Sequence, residues 1–188
     1  MSHPAPTVAH MTPIILTPWS PNDLPLLHHS NSPAMTAHTG GPEDDEKLTA
    51  RQQRYVALSQ RDATEGRMFR ISLAGTDEAV GSVGYWPREW QGRQVYETGY
   101  GILPEFQGRG LAVAAIVAVA QAAREAGGPR ELHAYPSVDN TASNVVLRKA
   151  GFRLLGEVEF EYPPGHLLRS NDWCLDLEEE PLGEQPLR

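Results

Sequence analysis

Leu103-Pro104-Glu105-Phe106-Gln107-Gly108-Arg109-Gly110-Leu111-Ala112 joins a stretch of strand character to a long alanine-rich helix, and the fold of this chain is read outward from it. Two glycines let the backbone turn tightly and leave no Cβ in the way of a ligand. The first N–H groups of the helix that follows lack partners within the helix and lie at the positive end of its dipole. Such a turn suits a phosphate and needs no metal. Arg109 adds a cation for a charge-assisted contact. The sequence has no G-x-x-x-x-G-K-[ST], so the turn is not a P-loop. Val113 stands where a dinucleotide fingerprint needs its third glycine.

Upstream of the turn, residues 94–103 read as a strand. Val95, Glu97, Gly99, Gly101 and Leu103 fall on one face, and Tyr96, Thr98, Tyr100 and Ile102 on the other. Residues 68–74 and 79–86 read as two strands around a turn at 75–77. The segment 86–94, with Pro87, Trp90 and Gly92, reads as a loop. Further back, the pattern predicts a short strand at 14–16, a helix capped by Asn22 or Asp23, a loop over 28–41 and a helix over 42–61 with Pro42 and acids at its start. Downstream, 108–126 is helical and stops at Gly127-Gly128-Pro129. A strand follows over 130–136, a helix over 140–150, and strands over 152–162 and 172–177. The order predicts a single-domain mixed α/β fold. Residues 13–178 form that domain, with flexible tails over 1–12 and 179–188.

Composition narrows the function. Apolar residues make up 40% and charged residues 21% of the 188, which is ordinary globular usage. No apolar run is long enough for a bilayer-spanning helix, so no membrane association is expected. One cysteine, Cys174, excludes an internal disulfide framework and a multi-cysteine zinc site. The seven histidines show no metal-binding spacing, so no metal is expected. A net charge of −8 offers no basic face for nucleic acid and is compatible with a cationic substrate. The N-terminus carries no apolar core of a secretory signal, which makes the cytoplasm the expected location.

Gln107-Gly108-Arg109-Gly110-Leu111-Ala112 resembles the Q/R-x-x-G-x-G/A turn of the GNAT acetyltransferase superfamily, and it likewise follows a strand and opens a helix. Asn140 to Phe152, with Asn140, Ser143, Lys149, Gly151 and Phe152, resembles the N-x-x-S…K-x-G-F segment of Rim-type members, which acetylate ribosomal proteins or small amines. The resemblance implies a mostly antiparallel central sheet with one splayed parallel strand pair and flanking helices.

The resemblance also implies roles. The backbone N–H groups of Gly108, Arg109, Gly110, Leu111 and Ala112, with Gln107 opening the turn, would hold the pyrophosphate of acetyl-CoA. Ile102 and Leu103 would bind the pantetheine arm, and Asn140 would hydrogen-bond it. Asn140 is equally a helix cap. Glu97 is the matching general base for the attacking amine, or a solvated strand glutamate. Glu159 and Glu161 are its rivals, as base or as binders of a cationic substrate. Trp86, with Trp90, would wall the acceptor pocket or form a local apolar cluster.

Many family members carry a tyrosine that protonates the leaving thiolate, at the position that is Leu147 here. Ser143 offers a hydroxyl instead, or a capping serine. The implied activity is acetyl-CoA-dependent N-acetylation of a small amine or a protein N-terminus. The missing tyrosine leaves a catalytically silent acyl-CoA-binding module as the alternative. Dimers are common in the family, yet no exposed stripe in this sequence argues for a homodimer.

Overall fold

The computed structural model describes residues 13–162 and 164–179. The tail expected over 1–12, and all but Glu179 of the tail expected over 179–188, lie outside the described residues. The chain opens with strand β1 (Ile14–Pro18) and continues through helices α1 (Leu24–Ser30), α2 (Pro33–Thr36) and α3 (Asp45–Gln60). Three antiparallel strands follow: β2 (Arg67–Leu73), β3 (Ala79–Trp90) and β4 (Arg93–Ile102). Then come α4 (Leu111–Ala126), β5 (Glu131–Ala134), α5 (Thr141–Lys149), β6 (Arg153–Glu161) and β7 (Leu167–Asp176). One seven-stranded sheet results, in the order β1-β2-β3-β4-β5-β7-β6. Only β4 and β5 pair in parallel among the described strands. This is the mixed α/β architecture expected above.

Helix α4 is the crossover that makes the parallel pair possible, since parallel strands need a long connection. It lies against the sheet through Ala114, Ala115, Ile116, Val119, Ala120 and Ala123, all buried. Four of those six are alanine, so the helix backbone comes close to β3 and β4. Tyr96 on β4 reaches past it to donate to the carbonyl of Gly127, 2.7 Å away, at the helix end. On the opposite face, α3 is fastened by Gln52, whose Oε1 accepts from Trp19 Nε1 at 2.8 Å. No helix of the described residues is long and apolar enough to cross a membrane.

Three local expectations are corrected. Residues 86–94 are not a loop: β3 runs to Trp90 and turns into β4 through Gln91 and Gly92, with φ of 50° and 76°. Two consecutive positive φ values make the tight turn that suits a twisted hairpin. Pro87 is tolerated because β2 pairs with β3 only as far as Tyr85, so its missing N–H falls on an open edge. The span 28–41 holds a helical turn, α2, capped by Ser32, with Asn31 bracketing the Glu43 backbone at 2.7 and 2.9 Å. The last strand begins at Leu167 rather than 172, because β6 and β7 form a hairpin paired down to Glu161 and Leu167.

Candidate active site

The 103–112 turn opens directly onto α4. Gly108 and Gly110 have φ of 75° and 77°, a conformation that L side chains rarely adopt. A Cβ at either would meet nothing within 4 Å, so conformation and not crowding demands glycine. Gly110 is the N-cap, with no side chain closing the helix end. The first helical bond runs from Ala114 N–H to the Gly110 carbonyl, 3.1 Å. The amides ahead of it are left to face solvent or an anion. Gln107 braces the turn by donating from Nε2 to the Ile102 carbonyl at 2.9 Å. The Arg109 side chain folds back onto the Glu105 carbonyl, 3.0 Å, and over the Phe106 ring. Its guanidinium is thereby engaged within the turn itself.

β4 and β5 pair only at Tyr96↔Leu132 and Glu97↔His133. Beyond Ala134 the strands part, and a cleft of about 310 Å³ opens between them and beneath α1–α3. Leu103 N–H donates to the Val80 carbonyl at 2.8 Å, so that amide is committed to the ladder. Antiparallel pairing alternates, so the backbone groups of Ile102 and Tyr100 turn to the other edge, toward the opening. That edge is the place for an extended arm of alternating donors and acceptors.

On the α5 side of the cleft stand Tyr100, Asn140 and Ser143. Asn140 caps α5, its Oδ1 accepting from Ser143 N–H at 3.1 Å, and it also lines the cleft. Tyr100 Oη lies 2.8 Å from Ser143 Oγ. Burial pushes the Tyr100 phenol up, against the opposing effect of the Ser143 hydrogen bond. Leu147 is wholly buried in the core and contributes nothing to the cleft.

The opposite wall carries Trp86, Glu97, Tyr135, Phe160 and Tyr162. Glu97 Oε2 accepts from Arg88 Nη1 at 2.7 Å. Arg88 in turn lies over the Phe160 ring at 4.3 Å, with Tyr135 and Trp90 at 5.5 and 5.7 Å. Gly99 makes room for Trp86, since a Cβ there would stand 3.0 Å from Trp86 Cη2. At the rim, Arg51 pairs with Glu43 at 2.6 Å and donates to Tyr162 Oη at 3.3 Å. Burial pulls its pKa down, but Tyr55 and Glu43 outweigh that and raise it.

Glu159 and Glu161 are not in the cleft. Strand alternation turns Phe160 inward and both glutamates out, where both are exposed and Glu161 accepts from Gly165 N–H at 2.7 Å. Beneath the cleft, His133 is fully buried, with Nδ1 2.6 Å from Asp172. Burial opposes its charge, yet Asp172, with Cys174 beside it, holds its pKa up to about 10. Glu131, His133 and Cys174 bring ligand atoms within 4.8 Å of one another. The close contact of Nδ1 with Asp172 makes this first a buried His–Asp pair.

Tyr100, Arg88 and Arg51 were not singled out by the sequence reading as site residues. Tyr100 carried a signal there, as a tyrosine two residues before Ile102 on the strand entering the turn. Arg88 and Arg51 carried none: Glu97 and Glu43 lie nine and eight residues away, but only folding brings these carboxylates and the distant rings of Phe160 and Tyr162 against the two guanidinium groups.

Residues 14–153 match the family model described as the acetyltransferase (GNAT) domain. No curated protein is significantly similar in sequence. Among solved structures, RimL, the ribosomal L7/L12 α-N-protein acetyltransferase in complex with coenzyme A, superposes with a TM-score of 0.70 at 23% identity, over 87% of this chain and 93% of that one. Spermidine N-acetyltransferase from Vibrio cholerae, in complex with CoA and spermine, gives 0.69 at 16% identity, over 87% and 95%. The aminoglycoside acetyltransferase AAC(6')-Ib, in complex with coenzyme A, gives 0.70 at 17%, over 87% and 95%. These three share the fold of this chain.

Proposed function

This chain belongs to the GNAT acetyltransferase family, and from that premise we propose that it is an N-acetyltransferase that moves an acetyl group from acetyl-CoA to a primary amine by direct attack on the thioester in a ternary complex. One observation carries the reading: the strand β4 that parts from β5 to open the cleft runs on, through the 103–112 turn, into the uncapped N-terminus of α4. The residues fit the co-substrate. The amides at Gly108 to Ala112 suit its pyrophosphate, with Gln107 bracing the turn. The backbone edge at Tyr100 and the Ile102 N–H, with Asn140 across the gap, suits its pantetheine. The β4 amides also supply fixed donors toward a developing oxyanion.

The amine attacks neutral and must shed a proton. Glu97 is the carboxylate that lines the cleft. Arg88 occupies its Oε2, leaving Oε1 to take the proton directly or through water. Trp86, Tyr135 and Phe160 form the wall against which the acceptor body lies. Glu97 and Arg51 are the side chains of fixed charge along the cleft among the described residues, and each is already paired. A polyamine would find one carboxylate only, so the balance favours a single amine on an apolar body, or a protein N-terminus. The cytoplasmic location, and the extent of the domain over 13–178, belong to the same proposal.

Calorimetric titration with acetyl-CoA, with ATP as control, tests the site. Micromolar binding of acetyl-CoA, about −8 kcal/mol, with ATP much weaker, is expected. A free-thiol assay over monoamines and N-terminal peptides then tests turnover. The buried Leu147 favours a second reading, a silent acyl-CoA-binding module, which predicts binding without thiol release from any acceptor.

A further inference from the structure

Tyr100 and Ser143 carry two hydroxyl protons between them, and the structure gives them one shared hydrogen bond, 2.8 Å long. Neither oxygen has another side-chain or backbone partner among the described residues, so one O–H is left over. Both residues line the cleft where the strands part. The leftover donor therefore faces the opening.

We propose that Tyr100 is a positioning residue for proton delivery to the departing thiolate: its hydroxyl donates to Ser143 Oγ and so turns the Ser143 O–H into the cleft. This rests on the acetyltransferase reading above. The direction of the shared bond follows from chemistry. A phenol is a far stronger acid than an aliphatic alcohol and is the natural donor of the two. Burial keeps the phenol protonated, so the donor is not lost.

Ser143 is also held still. It sits in the first turn of α5, which the next residue pins from two sides. Asn144 Nδ2 donates to the carbonyls of Ser137 and Asn140 at 3.0 and 2.8 Å. Its Oδ1 accepts from Asn171 and Trp173 at 2.7 and 2.8 Å. The hydroxyl pair bridges β4 to this fixed turn across the parted strands. Its partner is the sulfur end of a thioester lying in that gap.

The step balances. The C–S bond breaks after the amine nitrogen has bonded to the carbonyl carbon. Sulfur takes the Ser143 proton, Ser143 takes the Tyr100 proton, and Tyr100 recovers one from water. The water pool receives the proton that the amine sheds. The net products are the amide and the free thiol.

The test uses the full chain with CoA and follows thiol ionisation by the ultraviolet absorbance of the thiolate, against the apoprotein. A donor aimed at sulfur favours the charged form. In the wild-type complex the thiol should titrate about one unit below free CoA, and Tyr100→Phe and Ser143→Ala should each return most of that shift. With a productive acceptor, Tyr100→Phe should lower kcat by about 10- to 100-fold, less than full loss of a proton donor because Ser143 keeps its own hydroxyl, and leave KM for acetyl-CoA unchanged. A Tyr100→Phe complex that titrates like wild type overturns the proposal, as does an unshifted thiol in a wild-type complex that forms normally. Absence of CoA binding to the folded wild type overturns the acetyltransferase reading itself.

Discussion

Arg88 Nη1 donates to Glu97 Oε2 at 2.7 Å, and the same guanidinium is caged by the rings of Phe160, Tyr135 and Trp90. Glu97 sits on β4 and Phe160 on β6, at opposite sides of the parted strands. The pair therefore ties the wall of the cleft together. It also determines what the carboxylate can do: one oxygen is held by Arg88, and the other is the only route by which Glu97 can serve an amine.

Glu97→Gln keeps the shape and the hydrogen bond to Arg88 but removes the carboxylate proposed as the base. Turnover should fall by about 100- to 1,000-fold, the range of a lost general base, while acetyl-CoA affinity stays within about twofold. Glu159→Gln and Glu161→Gln should leave turnover unchanged, since both carboxylates lie on the outer face of β6. The free-thiol assay and calorimetry read the two quantities separately. A Glu97→Gln enzyme of full activity would assign the base elsewhere.

Gly110→Ala isolates the demand of the turn. Open space surrounds the new methyl, so no clash arises, but a φ of 77° is costly for alanine. A left-handed non-glycine residue costs about 1–2 kcal/mol. The melting temperature should drop by a few degrees, at about 2–4 °C per kcal/mol for a chain of this size. The amides at the start of α4 should also lose their aim, weakening acetyl-CoA by about tenfold in calorimetry. Unchanged affinity in a destabilised Gly110→Ala would remove the turn from the binding site.

Much of this was legible in residue order. The strand-to-helix turn at 107–112, the alanine-rich α4 and the capped α5 are local patterns, and they place the parallel pair and its opening. The tertiary partners were not legible. Nothing near Arg88 in sequence announces that it will pair with Glu97 and lie over Phe160, 72 residues downstream. The hairpin at 86–94 was read as a loop because Pro87 is a strand breaker in general, and only the open edge beyond Tyr85 makes it harmless. Glu159 and Glu161 shared a face, as alternation required, but which face meets the cleft is settled by the β6–β7 pairing. Alternation put Tyr100 on the strand face opposite Glu97, while Ser143 became its partner only through the packing of α5.

Gly99→Ala probes the acceptor wall without touching the turn. The added Cβ would stand 3.0 Å from Trp86 Cη2, so the indole must give way by a few tenths of an ångström. Trp86 then intrudes on the space in front of Glu97. KM for the amine should rise several-fold, with acetyl-CoA affinity nearly unchanged. An effect on acetyl-CoA alone would show that Trp86 borders the thioester and not the acceptor.

The buried pair His133–Asp172 makes stability depend on pH in one direction. Its folded pKa, held up to about 10, lies above the ordinary histidine value of about 6.5. The folded state therefore keeps a proton that the unfolded chain releases, and the contribution is complete below about pH 6.5 and fades as pH rises through 10. Asp172→Asn removes the charge that holds the imidazolium. It also weakens the bond that Trp90 Nε1 makes to Asp172 Oδ2 at 2.9 Å. Breaking a buried pair from one side costs about 3–5 kcal/mol. In urea unfolding, the gap between wild type and Asp172→Asn should be widest near pH 6 and shrink steadily toward pH 10. A gap that stays constant across that window would mean that His133 is neutral in the folded protein. It would then have a lone pair to offer, and the cluster with Glu131 and Cys174 would have to be reconsidered as a metal site.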